Sequence, residues 1–287
     1  METKLQPQTF AKAVEVDANN VFAIVLVPQT LLDVEICGRK TSAWVENAVS
    51  AFQSRIVEIK KGQDIITIVK DNVIQKKYCV VVYADTPLLT PDTIGQALTF
   101  VSTYGHKAGQ MPRGWVFEIE YVKIAPTIQS VVIPNLEETD FTVAYNFAQI
   151  ALITTYMRTR INDAHMAAGV HITDPYCTYI DADVKIGAGT RIGPGAYIAG
   201  AHIGKNCDIG CGVVFCDYDG KEKHKITVGD NVFVGANSNL VAPLIIGHHA
   251  YIAPGSTITN DVPADALALA RARQAVKENY KQLKDES

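Results

Sequence analysis

Histidine is the side chain most ready to move a proton near neutral pH, and beyond residue 200 this chain carries four, at His202, His224, His248 and His249. His202 stands between Tyr197 and Asp208. A base flanked by a hydroxyl and a carboxylate could take a proton from a substrate. His202 is the first candidate for a base, with His224 next and the other two on later turns; a solvated turn residue is the other reading of each. Cys207, Cys211 and Cys216 suggest a metal, but no C-x-x-C pair occurs among them. They read instead as buried thiols serving as small hydrophobes.

The element that must position these groups is a repeat. An apolar side chain returns every six residues at Ile180, Ile186, Ile192, Ile198, Ile203, Ile209 and Phe215, with one short step. After an interruption it returns at Val228, Val234, Leu240, Ile246, Ile252 and Ile258. A compact residue follows four places on, as at Thr190, Ala196, Cys207, Ser238 and Ser256, and a glycine often comes directly after the apolar one. Neither a helix nor a simple strand has this period. Hexads of this kind build a parallel β-helix, three to a coil, and each coil buries its row only by stacking on the next. Left-handed winding is expected, and the glycines are expected to supply turn angles closed to other residues. The polar stretch from Asp217 to Lys225 interrupts the rhythm and should protrude.

The first half reads differently. Val21 to Val27 is a strand buried on both faces. Further strands are expected at 65–69, 78–83, 116–122 and 131–133, and helices at 42–52 and from a Thr90 cap with Pro91 in the first turn. This alternation predicts an α/β sheet of parallel type. A helix from 142 to 159, continuing to Gly169 with a break near Asn162, links the halves. The chain thus divides into an α/β domain (1–140), a linker helix (141–169), the β-helix (170–262) and a C-terminal helical tail (263–287).

At 287 residues two domains are expected. Hydrophobic content of 48% with 20% charged residues describes a soluble globular chain. The net charge of -4 offers no basic field for nucleic acid or an anionic membrane. No apolar run reaches the roughly 20 residues of a membrane span, and the first eleven residues lack a leader's apolar core. A cytoplasmic location is expected.

Several stretches resemble one family. The segments CDYDG at Cys216 to Gly220, ITVGDNVFVGANSNLVAPLIIG and GSTITNDVPADALALARARQ are similar to the acetyltransferase half of the bifunctional N-acetylglucosamine-1-phosphate uridylyltransferase/glucosamine-1-phosphate acetyltransferases. The run from Met157 to Gly187 resembles their linker and first coils. The likeness is close from about Ala144 onward. Before that it is patchy, with YCVVVYADTPLLTPDTI resembling the strand and turn of a metal-binding aspartate. The resemblance implies a trimer that moves an acetyl group from acetyl-CoA to an amino-sugar phosphate, and a nucleotidyltransferase-like first domain using Mg²⁺. It also implies substrate roles for Tyr197 and Asp208, and acetyl-CoA contacts at Asp217, Tyr218, Lys223, Ala236, Pro254 and Arg271. Asp85 falls at the metal-binding aspartate, and a turn residue at a strand end is its other reading.

The departures from the family pattern shape the expected function. Val27 is followed by Pro28, Gln29 and Thr30 in place of a glycine-rich phosphate loop, and Tyr145 occupies the second metal ligand's place. The first domain is read as degenerate, with nucleotide transfer lost. Pro194 stands where the family has its catalytic histidine. The expectation is an acetyl-CoA-dependent acetyltransferase acting on an amino-sugar phosphate or nucleotide sugar. The alternative is a non-catalytic trimeric binding or regulatory protein.

Overall fold

The computed structural model describes residues 16–60 and 62–278. Two compact units divide between Met157 and Arg158. In the first, six strands lie in the order Gln53–Glu58, Val21–Val27, Tyr78–Tyr83, Gly114–Glu118, Ala108–Met111 and Val131–Val132. Alternate residues of Val21–Val27 enter two separate apolar clusters. Val21, Ala23 and Val25 meet α1 (Thr41–Ala48) and, after α2 (Ile65–Asn72), α3 (Pro91–Thr103). Phe22, Ile24 and Leu26 meet α2 and α4 (Ile119–Ile124). Helices on both faces of a buried sheet make this a three-layer α/β unit.

The sheet is mixed rather than parallel. Val21–Val27 runs parallel to both its neighbours, but Gly114–Glu118 runs antiparallel to Tyr78–Tyr83 and to Ala108–Met111. The expected strand at 65–69 is instead helix α2. Asp64 caps it by accepting the Thr67 N–H at 2.9 Å, and Ile68 and Val69 turn inward together. The expected strand at 116–122 ends at Glu118, where α4 begins. Thr90 caps α3 as expected, accepting the Thr93 N–H at 3.1 Å. Thr90→Ala should lower the unit's unfolding free energy by about 1 kcal/mol. Urea titration checks this, and an unchanged midpoint would mean the cap contributes nothing.

Helix α5 (Phe147–Ala167) crosses the boundary between the units. It starts five residues later than expected, because Asn146 Oδ1 takes the Gln149 N–H at 2.9 Å and caps it there. Nor does it break at Asn162. That fully buried side chain donates to the carbonyls of Pro175 and Thr178 at 2.8 and 3.0 Å, so it does not compete for its own helix's backbone.

From residue 171 the second unit is a three-sided parallel coil, which fits a left-handed β-helix. Its first face carries Tyr179–Ile180, Tyr197–Ile198, Val214–Cys216, Asn239–Val241 and Thr257–Ile258. The second carries Lys185–Ile186, Ala201–Ile203, Ile226–Val228 and Leu244–Ile246. The third runs from His171–Ile172 through Arg191–Ile192, Asp208–Ile209, Phe233–Val234 and Tyr251–Ile252 to Leu267–Ala268. The hexad residues and the compact ones form one interior, in which Thr190, Ser238 and Ser256 are fully buried.

The glycines after the apolar positions act differently from expectation. Gly235 has ordinary backbone angles, but a Cβ there would fall 2.5 Å from the nitrogen of Pro254 on the next coil. Close stacking, not turn geometry, demands glycine at this position. The left-handed turn angles fall two residues further on, often at asparagine, as at Asn206, Asn231 and Asn237.

The expected helical tail is absent among the described residues. Leu267–Ala268 pairs parallel to Tyr251–Ile252, and the Thr257 N–H donates to the Ala270 carbonyl at 3.1 Å. The tail adds a strand to the third face. Residues 279–287 of that expected helix lie outside the described residues. No helix among the described residues is long and apolar enough to cross a membrane.

Candidate functional site

The coil that carries Tyr197, His202 and Asp208 places each on a different face. They do stand on successive strands, as the spacing suggested. Successive strands of a three-sided coil face three ways, however. Since Ile198, Ile203 and Ile209 point inward, the three polar neighbours diverge outward. Tyr197 is exposed, its ring 6.2 Å from that of Tyr179. His202 is half-buried in register between Lys185 and Thr227. Asp208 is half-buried between Arg191 and Phe233. One chain alone therefore does not assemble these three around a common point.

The residues expected at acetyl-CoA gather along the two edges of the first face. One edge is the corner shared with the third face, where Pro194, Cys211, Ala236 and Pro254 follow one another on consecutive coils. The carbonyls of Pro194, Cys211 and Ala236 each accept from the coil above at 2.9 Å. The Pro254 carbonyl accepts from Arg271 Nη1 at 3.2 Å, so the exposed guanidinium lies across this corner.

The other edge carries the insertion from Asp217 to Lys225. Its root stacks on Gly200, which has φ 55°, and a Cβ there would meet the Asp217 Cβ at 2.7 Å. Tyr218 bridges antiparallel to Lys223, and the His224 N–H donates to the Asp217 carbonyl at 2.7 Å. Asp219, not singled out from sequence, organises the turn. Its Oδ1 accepts the N–H groups of Lys221 and Glu222 at 2.8 Å each, and its Oδ2 lies 2.9 Å from His224 Nε2. The bond from Glu222, then those from His224 and Lys221, hold its carboxyl well below the ordinary carboxylate range. The Asp219–Gly220 pair, a common turn dipeptide, was the one local signal.

His248 and His249 serve turns. His248 Nδ1 accepts the Asp230 N–H at 2.9 Å, and His249 takes a left-handed angle of 58°. Of the three cysteines, Cys207 is buried, and burial raises its thiol pKa. Cys216 is only half-buried and Cys211 is exposed, so the reading of all three as buried hydrophobes holds for Cys207 alone. No group of three or more potential metal ligands occurs among the described residues.

Asp85, in the first unit, is buried and already has a cation. Arg113 Nε donates to its Oδ1 at 2.8 Å and Nη2 to its Oδ2 at 2.6 Å. The guanidinium also lies 4.2 Å over the ring of Tyr83. Burial raises the Tyr83 phenol's pKa more than the neighbouring charge of Arg113 lowers it. Both oxygens that a divalent ion would need are taken by a bidentate pair. Arg113 lies 28 residues from Asp85, and nothing in the local sequence announced it.

The family model that matches is "Bacterial transferase hexapeptide (six repeats)", over residues 179–216 and 225–260. The bifunctional protein GlmU of Thermoanaerobacter pseudethanolicus is 51% identical over 44% of this chain and 46% of its own. That of Caldanaerobacter subterraneus subsp. tengcongensis is 35% identical, over 46% and 48%. The chain thus spans about half the length of the curated relatives it matches. Among solved structures, a serine acetyltransferase from Entamoeba histolytica is 24% identical over 48% of this chain and 49% of its own, with a TM-score of 0.32, too low to locate any residue. The hexapeptide coil and the matched relatives agree, and the C-terminal half of the chain is similar to GlmU proteins.

Proposed function

We propose that the β-helix transfers an acetyl group from acetyl-CoA to the amine of an amino-sugar phosphate or nucleotide sugar, as a homotrimer. The observation that carries this is the layout of the first face. Tyr218 and Lys223 border it on one edge, and Ala236, Pro254 and Arg271 border it on the other. A long thioester laid across the coil would meet an aromatic and a cation at one side and a guanidinium suited to phosphate at the other. Asp217 sets the insertion's root, and Tyr197 stands on the face between, where the acceptor would approach. His202 and Asp208 lie on the other two faces, away from it.

The first unit is read as a nucleotidyltransferase-like domain that no longer transfers a nucleotide. Its residues do not fit Mg²⁺ with a triphosphate. Asp85 is engaged by Arg113, and Pro28 offers no amide where a phosphate cradle would stand. A second reading, a trimer that binds a nucleotide sugar or CoA without turnover, is favoured by the divergence of Tyr197, His202 and Asp208. A cytoplasmic setting belongs to either reading.

Two measurements made together test the proposal. Acetyl-CoA at a hundredfold excess over its Kd should stabilise the β-helix by about 2.7 kcal/mol, and Arg271→Ala should weaken that binding several-fold. Thiol release should follow on adding the right amino sugar. Stabilisation without release selects the binding reading. No thermal shift at millimolar CoA or UDP-sugar, with no release, removes both.

A further inference from the structure

We propose that His224, held by Asp219, is the group that takes the proton from the acceptor amine; this rests on the acyl-transfer reading above. The assignment differs from His202, which spacing alone favoured, and it follows from three features of the insertion.

The first is the imidazole's fixed tautomer. A histidine accepts a proton only through an unprotonated ring nitrogen, and the partner of the other nitrogen sets which one that is. Asp219 is tied by the N–H groups of Lys221 and Glu222 through Oδ1, and its Oδ2 meets His224 Nε2 at 2.9 Å. An ionised carboxylate can only accept. In the neutral imidazole, His224 Nε2 then carries the hydrogen and Nδ1 the lone pair. The same division of labour, a carboxylate orienting an imidazole, recurs wherever a histidine serves as base.

The second feature is rigidity. The insertion is a closed hairpin, clamped by the Tyr218–Lys223 bridge, by the His224 N–H on the Asp217 carbonyl at 2.7 Å and by the Asp219 N–H on the Glu222 carbonyl at 3.2 Å. The third is place. The hairpin leaves the end of Val214–Cys216, the strand in register with Tyr197, and its root sits on the turn at Gly200 just beyond Tyr197–Ile198. His224 thus shares an edge of the first face with Tyr218 and Lys223. His202 lies on the second face between Lys185 and Thr227, and Pro194 has no group to titrate.

The step balances without further reagents. The amine nitrogen attacks the thioester carbonyl carbon, a C–N bond forms, and the amine's proton passes to His224 Nδ1. Collapse of the tetrahedral intermediate breaks the C–S bond, and the same proton goes to the departing sulfur. The products are an amide and free CoA thiol, with the imidazole restored.

The test is thiol release by the full-length protein with saturating acetyl-CoA and a panel of amino-sugar phosphates. His224→Ala should lower kcat about 10²–10⁴-fold with the acetyl-CoA KM little changed, and free imidazole should restore part of the rate. His202→Ala should stay near wild type and gain nothing from imidazole. Asp219 is a positioning residue. In Asp219→Asn the nitrogen NMR shifts of His224 should report loss of the fixed Nε2–H form alongside a reduced kcat. A wild type that turns over while His224→Ala keeps most of its rate overturns the base alone. A wild type that releases no thiol with any amine overturns the acyl-transfer reading and the base with it.

Discussion

Phe215→Ala is expected to lower the stability of the β-helix by about 3–5 kcal/mol. Phe215 is 1% exposed and is the one aromatic among the buried residues of that interior. Its column neighbours are aliphatic, with Leu240 directly in register above. Removing the ring leaves a void that Leu240 and the facing hexad residues cannot close, because the backbone ladders fix the spacing of the coils. The loss combines the transfer free energy of the ring with the contacts its lining forfeits. Against a typical domain stability of roughly 5–15 kcal/mol, such a loss would bring the coil near its threshold. Each coil is supported only by the two beside it, so melting should begin around this rung. Denaturant unfolding followed by far-UV circular dichroism reads the change. A loss under about 1 kcal/mol would mean the interior repacks, contrary to a jigsaw core.

Arg113→Ala should destabilise the α/β unit by a similar amount, about 3–5 kcal/mol, for a different reason. The Asp85 side chain is 4% exposed and that of Arg113 is 30% exposed. Removing the guanidinium strands a buried carboxylate without the two donors that Arg113 supplies. The paired change Asp85→Leu with Arg113→Met removes both charges and should recover most of the loss, since an apolar pair avoids the desolvation penalty. A double-mutant cycle on thermal or urea unfolding separates the terms. Full stability of Arg113→Ala alone would show that water reaches Asp85. Binding of Mn²⁺ by the wild type at micromolar concentration would refute the reading of this pair as a substitute for a metal.

What could be read in advance follows from how local each cause is. The hexad period was legible because inward residues of every coil obey the same spacing, whichever face they serve. Which face a residue serves was not, since that requires counting corners through an irregular step between Ile198 and Ile203. This is why Tyr197, His202 and Asp208 looked convergent and are not. The run Ile65, Ile66, Ile68 and Val69 is β-branched, and propensity read it as a strand. The Asp64 cap and the need to cover Phe22 and Ile24 outweigh propensity there. The tail, rich in alanine, leucine and arginine, has helical preference, but the open backbone edge at Tyr251–Ile252 gives it ladder bonds instead. Arg113 and Asp219 went unnoticed because their importance lies in what they touch. The first partner lies far along the chain, and the second in a turn whose amides sequence does not display.

Where no hairpin intervenes, Thr227 pairs with Ile245, Phe233 with Tyr251 and Asn239 with Thr257, eighteen residues on in each case. Such a tower has interchangeable storeys. Excising a whole storey returns every wall to its own side, with the Gly-to-backbone seams still matched. Excising a third of one would swivel everything above it, carrying the arginine at the summit away from the balcony that holds His224. Length in this architecture changes harmlessly only in whole floors.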